Sequence, residues 1–131
     1  MIKLKRAYEP ARKEDGYRVL VDRLWPRGIK KSNFPIDEWA KDLAPSSKLR
    51  KTFGHDPDQW QEFRAKYRME LRAKEHKEKI NDLAKRARMN EVTLIYSANN
   101  DHQNNAVVLK EVLERLLEKS SPKSEYSRKA A

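Results

Sequence analysis

Apolar and polar residues alternate along Ile2-Lys3-Leu4-Lys5-Arg6-Ala7-Tyr8, and a period of two predicts a strand with one buried face. Arg18-Val19-Leu20-Val21 and Val92-Thr93-Leu94-Ile95-Tyr96 are instead continuous β-branched and apolar runs, which predicts two strands apolar on both faces. Neither can form a sheet edge without exposing that surface, so the two are expected side by side with their carboxyl ends together. Between them the period lengthens to that of a helix. Trp60, Phe63, Tyr67 and Leu71 recur every three or four residues, and Ile80, Leu83, Ala84 and Ala87 extend the stripe after an expected break at residues 72 to 77. Val107, Val108, Leu109, Val112, Leu113, Leu116 and Leu117 form a last amphipathic helix.

Punctuation residues divide these elements. Asp15-Gly16 turns the chain into the second strand, Ser46 or Ser47 can N-cap a short helix through Phe53, and Asp56-Pro57 is a strong helix start. Residues 36 to 43 fit either a helix face or a short strand, and both stay open. Strands separated by helices, the last strand leading directly into a helix, predict an α/β fold: a single domain with a small, largely parallel sheet flanked by helices, over residues 1 to 119. From residue 120 the chain is Ser/Lys/Pro-rich without apolar period, so residues 120 to 131 are expected to be a disordered basic tail.

Composition narrows the function classes. At 131 residues the chain builds one core, and no apolar run is long enough to span a membrane. The start Met1 to Arg6 is basic, with no apolar stretch or cleavage site after it, so the protein is expected in the cytoplasm. With no cysteine there is no disulfide, thiolate metal site or thiol nucleophile. The net charge of +10 concentrates in two places: residues 1 to 31 hold ten Lys/Arg against four Asp/Glu, and residues 57 to 88 hold ten against six. That balance favours anionic partners, either a small anionic ligand or nucleic acid, although lysine-rich helices also serve solubility.

Two loops are the candidate site. The first strand of the central pair runs into Asp22-Arg23-Leu24-Trp25-Pro26-Arg27-Gly28, and the second runs into the polar stretch Ser97 to Asn105, which opens the last helix. In open α/β sheets ligands lie beyond the carboxyl ends of the strands, and a helix start adds backbone N–H donors for an anion. Arginine forks grip carboxylate or phosphate at two points. The candidate ligand-binding residues are Asp22, Arg23, Trp25, Arg27, Ser97 and Asn105. Asp22 can act as a base or orient Arg23, and Trp25 can equally cap the core. No cofactor and no catalytic residue is assigned.

The other polar residues have plainer readings. Ser46 lacks the flanking glycines of a hydrolase nucleophile and reads as a cap. His55 reads as a loop residue and His76 as surface helix, and the three histidines lack metal-ligand spacing, so no metal site is expected. Asn100, Asp101 and Asn104 read as N-caps, and the Trp60, Phe63, Tyr67 stripe as core.

Several words in this chain resemble the YeaO-like proteins, a domain of unknown function, DUF488. They are Gly16 to Gly28 (GYRVLVDRLWPRG), Asp37-Glu38-Trp39, Ala44-Pro45-Ser46 with Leu49-Arg50, Leu94-Ile95-Tyr96-Ser97-Ala98 and Gln103-Asn104-Asn105-Ala106. The resemblance covers residues 2 to 117 and implies a small bacterial or archaeal α/β domain with no established reaction. It also implies departures. Asn105 stands where such proteins usually carry a histidine, and larger relatives have a cysteine at this strand exit and a Cys-His-Arg helix start, where this chain has Ser97 and Gln103-Asn104-Asn105. Chemistry needing that thiolate or imidazole would be absent, and a shared function would rest on Arg23, Arg27, Trp25 and the Ser/Asn loop. Three readings follow: a small-anion pocket, a nucleic-acid-binding or accessory protein using its basic surface, and loop words that merely lock the fold.

Overall fold

A computed structural model of the chain describes residues 1 to 53 and 56 to 120. Strands β1 (Ile2–Arg6), β2 (Tyr17–Leu20), β3 (Glu38–Trp39) and β4 (Val92–Tyr96) form one sheet in the order β1-β4-β2-β3. Every pairing is parallel, and β4 and β2 occupy the interior, where strands apolar on both faces belong. Leu20 lies in register with Ile95, so the two central strands end together. Residues 36 to 43 resolve as the two-residue edge strand β3 followed by a 3-10 turn, Lys41–Leu43.

Helices α1 (Ser47–Phe53), α2 (Trp60–Leu71), α3 (Lys77–Met89) and α4 (Asn105–Ser120) bury their apolar stripes in one core with Ile2, Val19, Val21, Leu94 and Tyr96. The period of each stripe places its large side chains on one side of the helix, and Tyr67, Leu83, Leu109 and Leu113 are fully buried. The expected break between α2 and α3 is a 3-10 turn, Lys74–His76. Ser46 caps α1, its hydroxyl accepting from the Leu49 N–H at 3.1 Å. Asp56 accepts from the Asp58 N–H at 3.0 Å and opens the 3-10 turn Pro57–Gln59 that leads into α2.

The opposite face of the sheet carries no α-helix among the described residues. Leu20 and Ile95 are covered there by Ala7, Phe34, Trp25, Ile29, Ile36 and Trp39, most of them from the irregular connection between β2 and β3. The same face holds a buried charge cluster. Asp15 accepts from Lys5 at 2.9 Å and pairs with Arg18, and Arg18, read from sequence as part of an apolar run, is only 6% exposed. Burial alone would raise the Asp15 carboxyl, but the Arg12 N–H, Lys5 and Arg18 outweigh it and bring it down to about 2. Gly16 makes the adjoining turn possible: its φ is +64°, and a Cβ there would sit 2.3 Å from the Glu91 carbonyl oxygen.

No helix among the described residues is long and apolar enough to cross a membrane. Helix α4 runs through Ser120; the rest of the expected tail, residues 121 to 131, and His55 lie outside the described residues.

Candidate functional site

The parallel pairing of β2 with β4 brings the two polar loops together at the carboxyl edge of the sheet. The ladder continues one step past β2, with the Val21 N–H donating to the Ile95 carbonyl at 3.0 Å, and Asp22 follows directly. Its carboxylate is the centre of the junction. One oxygen accepts from the Ser97 N–H at 2.9 Å and the Ser97 hydroxyl at 2.6 Å. The other accepts from the Asn105 amide at 3.1 Å, and the same amide donates to the Val21 carbonyl at 3.0 Å. The Trp39 indole N–H donates to the Asp22 carbonyl at 2.8 Å. Exit of β2, exit of β4, start of α4 and edge strand β3 therefore meet on one residue.

Several other polar groups of the second loop are bonded within it. Asn104 caps α4, accepting from the Val107 N–H at 3.1 Å, and Asn100 accepts from the N–H groups of His102 and Gln103 at 2.9 and 3.0 Å. Tyr96 donates to Asp101 at 3.0 Å; burial, and then that acceptor, push its phenol up to about 12. From the far edge of the sheet Arg6 reaches across, its guanidinium donating to the carbonyls of Ala98 at 2.9 Å and Ser97 at 3.2 Å. His102 is exposed.

Arg23 differs from its neighbours. It is half-buried, its one hydrogen bond is a long 3.5 Å contact from Nη2 to the Pro45 carbonyl, and its buried Nε has no partner among the described residues. Asp22, the natural ion partner one residue away, is engaged with Ser97 and Asn105, and Arg23 forms no ion pair among the described residues. The other nearby carboxylate is also taken: Glu70 accepts from the Ser46 N–H at 2.9 Å and the Ser46 hydroxyl at 2.6 Å. Beneath these groups Tyr67 donates to the Leu43 carbonyl; burial, then the charges of Asp22 and Glu70, raise its phenol far above the ordinary range, with Arg23 opposing.

The sequence candidates divide accordingly. Asp22, Ser97 and Asn105 meet in one hydrogen-bonded lock, with Arg23 at its side. Trp25 turns away into the apolar cluster on the face without α-helices, where it meets Phe34 edge-on at 5.2 Å and donates to the Ile29 carbonyl at 2.7 Å. Arg27 is exposed, and its carbonyl accepts from the Tyr8 hydroxyl at 3.0 Å. Glu70, Tyr67, Pro45 and Arg6 were not among the candidates. Glu70 lies between buried Tyr67 and Leu71 on α2 with only its charge to mark it, and its role depends on where the 44 to 46 loop lands. No cluster of three His, Asp or Glu side chains that could hold a metal ion occurs among the described residues.

Comparison with known proteins gives a consistent result. A family model described as "Inactive DUF488-N3 subclade" matches residues 1 to 130. The "Uncharacterized protein YeaO" of Escherichia coli K12 is 47% identical over 115 residues, covering 88% of this chain and 98% of its own. The "Uncharacterized protein Mb3100c" of Mycobacterium bovis and the "Uncharacterized protein Rv3073c" of Mycobacterium tuberculosis are each 44% identical over 70 residues, covering 53% of this chain and 59% of their own. No solved structure matches the chain significantly.

Proposed function

Since the chain belongs to the inactive DUF488-N3 subclade of the YeaO-like family, we propose that it binds a ligand without transforming it. The ligand is a small molecule bearing a carboxylate or phosphate, held at the carboxyl ends of β2 and β4. The observation that carries this reading is the Arg23 guanidinium, which has no ion partner among the described residues, one long hydrogen bond and an unpaired buried Nε. A half-buried arginine with a buried Nε–H that has no acceptor and a single long hydrogen bond from Nη2 is costly to maintain, and charge-assisted bonds from an anion to its guanidinium would offset that cost.

The neighbouring groups support binding over catalysis. The Ser97 hydroxyl donates to a carboxylate, which is a far weaker base than the imidazole that activates serine nucleophiles. Asn105, which cannot accept a proton as a histidine would, closes the lock from the other side. Asp22 acts as a positioning residue: by fixing both strand exits it fixes the backbone from which Arg23 projects. Its charge is met by three donors and Glu70 by two, which tempers their repulsion of an incoming anion. Arg27, exposed on the same loop, adds long-range attraction.

The test is a titration of small phosphates and carboxylates against wild type, Arg23→Lys and, as a surface control, Arg88→Ala. Losing the planar fork while keeping the charge should weaken binding by about tenfold in Arg23→Lys, with Arg88→Ala unchanged. If binding is confined to a short oligonucleotide, falls steeply with salt and drops no more in Arg23→Lys than in Arg88→Ala, the nucleic-acid reading replaces this one.

A further inference from the structure

Away from the strand ends, helices α2, α3 and α4 frame a groove with a volume of about 420 Å³. Its floor is apolar: Leu71 and Ile80 are buried, and Val112 and Leu116 are half-exposed. Its rim is cationic, formed by Arg68 and Arg72 at the end of α2, Lys77 at the start of α3 and Arg115 on α4. We propose that this groove binds a soluble anionic amphiphile, with the apolar body on Leu71, Ile80, Val112 and Leu116 and a carboxylate or phosphate head among Arg68, Arg72, Lys77 and Arg115.

Charge complementarity is the argument for that occupant. Arg72, Lys77 and Arg115 are exposed and form no salt bridge among the described residues, and the acid that Arg68 and Arg115 feel, Glu111, is already bonded to Arg64, so the rim keeps an excess of positive charge. Cations in the last turn of α2 suit the helix dipole, but Lys77 at the first position of α3 opposes it, so dipole compensation does not account for the set. Arg68 gives the rim an inner donor. Its Nη2 shares Glu111 with Arg64 at 3.5 Å, while its buried Nε has no partner among the described residues. The volume falls in the range of about 300 to 1,000 Å³ usual for small-molecule pockets. A basic peptide or a second copy of the same face would bring like charge onto the rim, and a bare anion would leave the apolar floor uncovered.

The experiment uses the full chain and a displaceable fluorescent fatty acid, dansylaminoundecanoate, competed below micelle concentrations by dodecanoate, dodecyl phosphate, dodecanol and inorganic phosphate. Saturable binding of the probe is expected, with displacement by both charged amphiphiles and at least tenfold weaker competition by dodecanol and by inorganic phosphate. The triple variant R72E/K77E/R115E, all at exposed positions, should lose at least tenfold in affinity while its far-UV spectrum and Tm stay near wild type. Arg72→Lys should retain binding, since the rim needs charge and not a fork. Arg23→Lys should leave it unchanged, which separates this groove from the strand-end site. Equal competition by dodecanol, wild-type affinity in the triple variant, or stronger attachment to phosphatidylglycerol vesicles or RNA than to the soluble amphiphiles would overturn the proposal.

Discussion

Two aspartate–arginine neighbourhoods, three and one residues apart in sequence, have opposite outcomes in this fold. Asp15 and Arg18 face each other on the side of the sheet without α-helices, and Asp15 bridges Arg18 and Lys5. Asp22 and Arg23 are adjacent at the carboxyl edge, yet Asp22 is held by Ser97 and Asn105, and Arg23 is left without an ion partner among the described residues. The first arrangement is closed and holds the fold together. The second is open on its cationic side. Adjacent acid and base therefore do not imply a pair; which donors the tertiary fold brings to the acid decides whether the base remains available.

The largest effect that would break this contrast is expected at the closed cluster. Asp15→Asn leaves Arg18 buried beside a neutral amide, and the loss of stability should be about 3 to 5 kcal/mol, read by urea unfolding. The same residue sets a pH dependence. Its folded carboxyl is lowered from 3.8 to about 2, so the stability it contributes is complete above about pH 4 and lost as pH falls towards 2. Wild type should show that acid loss in Tm, and Asp15→Asn should show less of it; equal acid slopes would mean that Asp15 is not the titrating group.

A smaller cost is expected at the open site. Asp22→Ala strands the Ser97 N–H, the Ser97 hydroxyl and the Asn105 amide, and the unfolding free energy should fall by about 2 kcal/mol. The smallest effect belongs to Arg23. Arg23→Met removes a guanidinium that has one long hydrogen bond, and stability should change by less than about 1 kcal/mol in either direction. A loss as large as that of Asp15→Asn would place Arg23 in the scaffold and remove the distinction.

Much of the architecture was legible because hydrophobic period records burial directly. Val92 to Tyr96 forms β4 with the expected bounds, and the apolarity of β2 and β4 on both faces placed them together at the centre. The meeting of the two loops followed from that pairing. Pairing of individual polar groups was less accessible. Asp22 bonds to Ser97 and Asn105, 75 and 83 positions away, and composition does not tell which donor meets which acceptor over such a span. Arg18 illustrates the same limit: a charge inside an apolar run is compatible with burial only if a partner such as Asp15 is brought to it. Trp25 had two readings, and the apolar cover needed by Leu20 and Ile95 on a face without α-helices draws it into the core.

The central claim is that the Arg23 guanidinium is available to an anion while that of Arg18 is not. Arginine Nε–H resonances report this residue by residue. Adding inorganic phosphate or a small carboxylate to the labelled protein should shift the Arg23 signal saturably and leave that of Arg18, which donates to the Pro35 carbonyl, in place. An Arg23 signal that does not move for any small anion, or one that moves no more than Arg18, would contradict the account.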